Sequence, residues 1–180
     1  NGCLAPLLIG TAVGTFFTGS DFTINKSAVG DIASPVISRW GNAWHGLEAV
    51  ANPFNVEFGL MVMFLAIALG ALYLMNNADH AKLAVQLRRS LCINFRLFLL
   101  FFLLFCYHLI TMEGFAVDAS GTVTLEEGKY FTNLMEMPAV LALLLVGAVL
   151  LVAGVAMTLL GKEFKRGIWL AGPGTTLAVM

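Results

Sequence analysis

Uncharged apolar runs alternate with polar connections along the whole chain, at the length that crossing a membrane demands. A helix needs about 20 apolar residues to cross the hydrocarbon layer. The pattern predicts spans at approximately 4–17, 56–76, 91–112, 137–160 and 168–180. The first and last runs read as partial spans, so the chain is expected to be a single membrane-domain fragment with further spans before Asn1 and after Met180. The connection from Thr18 to Asn55 carries the breakers Gly30, Ser34-Pro35, Gly41-Asn42 and Asn52-Pro53. Its Trp40, Trp44, Leu47 and Phe54 suit a membrane-surface segment. The expected fold class is all-α, a polytopic transmembrane helix bundle.

Small residues recur on the predicted spans at helical spacing. Gly10 and Gly14 stand one turn apart, Gly59, Ala66 and Gly70 share a face, and Gly147, Gly154 and Gly161 recur every seven residues. Without a Cβ, helix backbones can approach closely in lipid, so these are expected packing surfaces. At least one of them is expected to meet a helix of another subunit.

Charge orients the pattern. Connections 76–96 and 161–167 hold Lys82, Arg88, Arg89, Arg96, Lys162, Lys165 and Arg166, whereas 18–55 and 113–136 hold only Lys26, Arg39 and Lys129 among basic residues. The bias alternates with each crossing, which predicts cytoplasmic basic connections and external acidic ones.

Composition supports the membrane reading. Hydrophobic residues make up 59% and charged residues 12% of the 180, against roughly 45–50% and about 25% in soluble domains. The net charge of −1 gives no basic excess for nucleic acid. Cys3, Cys92 and Cys106 form no C-x-x-C pair and read as free thiols in apolar surroundings.

Candidate chemistry is sparse. His45, His80 and His108 fall on different connections or span ends, so no two are expected to clamp one iron. His108 is expected at an outer interface. Met61, Met63, Met75 and Met157 read as gap-fillers rather than axial ligands. Glu48, Glu57 and Glu136 lie near outer membrane ends and are either interfacial polar groups or part of a proton or quinone-headgroup path. No metal-ligand cluster, phosphate-binding loop or nucleophile elbow is present, so no catalytic or metal residue is assigned.

Two stretches carry a family likeness: PLLIGTAVGTFFTGSDFTIN from Pro6, and WHGLEAVANPFNVEFGLMVMFLAIALGALYLMNN from Trp44. With the closing GKEFKRGIWLAGPGT and the order of later spans, the chain resembles subunit II of the cytochrome bd quinol oxidases of bacterial respiratory chains. The resemblance implies a multi-pass protein of the bacterial cytoplasmic membrane, surrounded by lipid and paired with a haem-bearing subunit I. That complex oxidises quinol to quinone and reduces dioxygen to water. It implies b-type and d-type haems in the partner and none held by this chain, which would act as scaffold and proton-access subunit. Family members tend to carry an apolar residue where this chain has Glu57, which weakens a shared catalytic role for it. The competing expectations are half of a secondary transporter, against which the few midplane polar residues speak, or a non-catalytic assembly or anchor protein.

Overall fold

The computed structural model describes residues 2–25, 37–118, 120–161 and 164–179. Lys26, Gly30, Ser34, Pro35, Lys162, Glu163 and the terminal Asn1 and Met180 lie outside the described residues. The chain divides into two compact units, Asn1–Met63 and Phe64–Met180, with the division falling inside helix α2.

In the first unit, α1 (Leu4–Thr18) is followed by a two-stranded antiparallel ladder, β1 (Phe22–Ile24) with β2 (Ser38–Trp40), in which Phe22 pairs with Trp40. One short 3-10 helix, Leu47–Ala51, leads into α2 (Pro53–Asn77). The entry is set by Asn52 and Pro53. The Asn52 side-chain oxygen accepts from the Phe54 N–H at 3.0 Å, and Pro53 occupies the first helical position, where its missing N–H costs nothing. This capping starts the helix three residues before the expected 56.

The α1–α2 crossing is built on glycine. A Cβ on Gly10 would stand 2.8 Å from the Cα of Gly59, and one on Gly14 would stand 2.9 Å from the Cα of Asn55. Both are backbone contacts, so the glycines let the two chains touch. Thr11 is buried beside them and returns its hydroxyl to the Leu7 carbonyl.

The second unit holds the rest of α2, then α3 (Ala81–Thr111), the hairpin β3 (Glu113–Val117) and β4 (Val123–Glu127), α4 (Lys129–Glu136), α5 (Pro138–Leu160) and α6 (Ile168–Val179). Helices α2, α3 and α5 are long and apolar enough to cross a membrane, and α1 and α6 are shorter apolar helices. The molecule is mostly helical, as the apolar pattern predicts, with two small antiparallel ladders among the described residues that the pattern does not.

Two expected connections are structured instead. The basic stretch 76–96 is helical from Ala81 onward, so the third span begins ten residues before the expected 91 and the connection shrinks to Ala78–His80. Its residues are good helix formers, and Leu83, Leu87 and Leu91 repeat at helical spacing. The acidic stretch 113–136 carries the hairpin and an amphipathic helix.

Helices α5 and α6 pack backbone to backbone. A Cβ on Gly147 would lie 2.6 Å from the Ala178 nitrogen and the Gly174 oxygen, and one on Gly154 would lie 2.5 Å from the Gly167 oxygen and 2.8 Å from the Ala171 nitrogen. This part of the expected glycine seam therefore meets a helix of the same chain. Gly161, in line with it by sequence, instead caps α5. Arg88, near the N-terminal end of α3, donates to the same helix end: Nη2 to the Gly161 carbonyl at 2.8 Å and Nη1 to the Leu159 carbonyl at 3.4 Å. A cation there answers the carbonyls left without partners and the negative end of the helix dipole.

Candidate functional site

A polar cluster of the first unit lies where α1 ends and α2 begins. A cavity of about 130 Å³ is lined by Thr15, Thr18, Asp21, Glu48, Asn52 and Asn55, among others. Asn55 is only 1% exposed. Its side-chain oxygen accepts from the Thr18 hydroxyl at 2.9 Å, and its amide donates to the Ala49 carbonyl at 3.2 Å. It thereby ties the end of α1 to the short helix before α2. Such closeness requires Gly14, because any side chain there would collide with Asn55.

Glu48 sits in the first turn of the short helix, behind Gly46, whose φ of 98° belongs to the left-handed region that glycine tolerates. Its Oε2 accepts from the Gly46 N–H at 2.9 Å. Its Oε1 is buried with no hydrogen-bond partner among the described residues. A buried carboxylate oxygen left in this state is costly unless water or a proton reaches it. Glu48 is thus held by one oxygen and lines the small polar cavity, where a water could partner the other.

The other sequence-selected residues do not join this cluster. Glu57 is half-buried in the early turns of α2. Glu136 is exposed at the end of α4. His108 occupies the last turn of α3, its ring 5.7 Å from that of Tyr107. Ala66 and Gly70 are exposed, and a Cβ on Gly70 would meet open space. Asn55 and Arg88 were not singled out by sequence. The Asn-Pro-Phe-Asn entry was a signal for the first, and nothing local signals the second.

His80 and His108 are too far apart on one helix to share an iron. His80 precedes the first turn of α3 and His108 lies in its last, so about 40 Å of helix separates them. His45, in the first unit, has φ of 50° and packs its ring 6.3 Å from Trp40. Among the described residues no three His, Cys, Asp or Glu side chains are grouped to hold a metal.

The hairpin carries a different feature. Phe115 pairs with Leu125 and Val117 with Val123, and these four side chains are 75%, 58%, 69% and 60% exposed. The opposite positions, Gly114 and Ala116, are buried. An alternating strand has thus turned its large apolar side outward.

Comparison with curated proteins gives no match. The model of one family, described as cytochrome bd terminal oxidase subunit II, matches residues 1–180. The three apolar helices of spanning length and the match over the whole sequence agree: this chain belongs to the cytochrome bd terminal oxidase subunit II family, and is a multi-pass membrane subunit of a quinol:oxygen oxidoreductase that pairs with subunit I.

Proposed function

We propose that this chain is the scaffold subunit of its oxidase, holding the haem-bearing subunit I in the bacterial cytoplasmic membrane and ligating neither the b-type nor the d-type haem itself. The connection 78–80 with the basic start of α3, which holds Lys82, Arg88 and Arg89, and the basic connection 161–167 face the cytoplasm in this reading, and the hairpin side faces outward. Quinol and dioxygen react on the partner. Residues of this chain bear on that chemistry through packing and through proton access from its polar groups.

The outward apolar face of the hairpin carries the reading. The hairpin follows the C-terminus of α3, outside the apolar helices. A face of two aromatic or aliphatic pairs at that place suits a protein surface that buries them. Replacing both Phe115 and Leu125 with Ser removes the larger pair and keeps the strand register. The assembled oxidase should then lose co-purifying subunit I and, with it, the haem absorption. Full recovery of the complex from the doubly substituted protein would refute the assignment.

A second reading, proton handling, is favoured by one observation: the orphaned Oε1 of Glu48 at the polar cavity. It is compatible with the scaffold role and concerns a different part of the chain.

A further inference from the structure

Two cavities adjoin on the second unit where α2 ends and α6 begins. The larger, about 810 Å³, is lined by Asn76, Phe164, Arg166, Trp169 and Leu170. The smaller, about 350 Å³, is lined by Tyr73, Asn76, Asn77, Ile168, Trp169 and Pro173. They share Asn76 and Trp169, so they form one groove passing either side of the indole.

The groove has a polar end and an apolar end, set by depth along the helices. Arg166 stands before the first turn of α6, in the basic connection. Tyr73 lies about 4.5 Å of helix rise further into the span than Asn76, and Pro173 about 7.5 Å further than Ile168. The mouth therefore presents a guanidinium, an amide and the positive end of the α6 dipole. The inner part presents Tyr73, Ile168 and Pro173. Trp169, 70% exposed, spans the two, as tryptophan does at headgroup level.

Charge selects the occupant. Among the described residues of the two connections Asp79 is the only acid, and Lys165 holds it with Nζ 2.6 Å from Oδ1. Arg166 keeps its charge for something else, and no described carboxylate pairs with it. A ligand matching a cationic mouth and an apolar interior about a turn deeper is an anionic amphiphile lying along the membrane normal. We infer that this groove binds an anionic phospholipid, its phosphate on Arg166 and Asn76 and an acyl chain running past Trp169 toward Tyr73 and Pro173. The chemistry is that of basic pockets between membrane helices. The site lies in the second unit and is independent of the contacts proposed for the hairpin.

The test uses the assembled oxidase and two lipids, phosphatidylglycerol and phosphatidylcholine, competed in mixed micelles and read by native mass spectrometry. Wild type should retain phosphatidylglycerol preferentially. Arg166→Gln should reduce that preference about fivefold, the share of one basic residue near a membrane surface. Arg166→Lys should keep most of it, and Arg89→Gln, on an exposed basic residue of α3, should leave it unchanged. An unaltered preference in Arg166→Gln would overturn the inference, as would displacement of the lipid by millimolar inorganic phosphate alone. A second measurement needs no substitution. Phosphatidylglycerol with a photoreactive acyl chain should label Tyr73 or Trp169 of the wild-type complex. Equal labelling by the phosphatidylcholine analogue, or a groove inaccessible because a helix of another subunit fills it, would overturn the assignment.

Discussion

Gly154→Ala tests whether α5 and α6 are held by backbone contact. The added Cβ would fall 2.5 Å from the Gly167 carbonyl oxygen and 2.8 Å from the Ala171 nitrogen. Ordinary contact begins near 3.4 Å, so the helices must part locally by about 0.9 Å, and neither neighbour is a flexible side-chain end. A gap of that size forfeits a quarter to a half of each dispersion contact across it, and overpacking of this kind costs about 1–3 kcal/mol. Alanine also favours the helix over glycine by up to about 1 kcal/mol in the opposite direction. Gly172→Ala separates the two effects, because a Cβ at Gly172 meets nothing within 4 Å. Hydrogen exchange of the α6 amides in the assembled oxidase reads local opening directly. Gly172→Ala should leave exchange equal or slower. Gly154→Ala should speed it about thirtyfold, the equivalent of roughly 2 kcal/mol. Equal exchange in the two variants would refute backbone packing as the force between these helices.

Two further outcomes follow from polar contacts. Asn55→Leu removes the bonds to Thr18 and Ala49 from a fully buried position, and should lower stability by about 1–3 kcal/mol, read as faster exchange at the C-terminal turn of α1. The hydrogen bond and charge of Lys165 hold the Asp79 carboxyl below its ordinary 3.8, so their tether between connections 78–80 and 161–167 contributes above that value and is lost as pH falls through the lowered one. Labels on the two connections should report one unchanged spacing from neutrality down to about pH 5, while Asp79→Asn should show the loosened spacing already at neutral pH.

Much of the helical layout was legible because an uncharged apolar run is a strong signal. The expected 137–160 and the observed Pro138–Leu160 differ by one residue. The N-terminal third of α3 was hidden because Lys82, Arg88 and Arg89 read as connection, whereas the Leu83, Leu87, Leu91 repeat carried the helix. Glycine spacing announced close packing but could not name the neighbour, since α6 and a foreign helix demand the same seam. Glu48 was selected by position alone. The cavity it lines is closed by Asn55, and the place of Asn55 depends on Gly14, a long-range relation that no local pattern contains. Arg88 and the end of α5 stand more than seventy positions apart in the chain, beyond any spacing rule.

That last pairing has a mechanical consequence. Helix α3 has 31 residues, about 46 Å, and α5 has 23, about 34 Å. The hydrocarbon layer is about 30 Å thick. Two helices of such different length would ordinarily settle at heights set by the lipid around each. Arg88 instead pins the lower end of the shorter helix to a fixed level on the longer one. A change in bilayer thickness is then met by both helices leaning as a unit, since sliding would tear the guanidinium from its two carbonyls. The arginine works as a depth stop, keeping the rungs of this part of the subunit level while the membrane around it swells or thins.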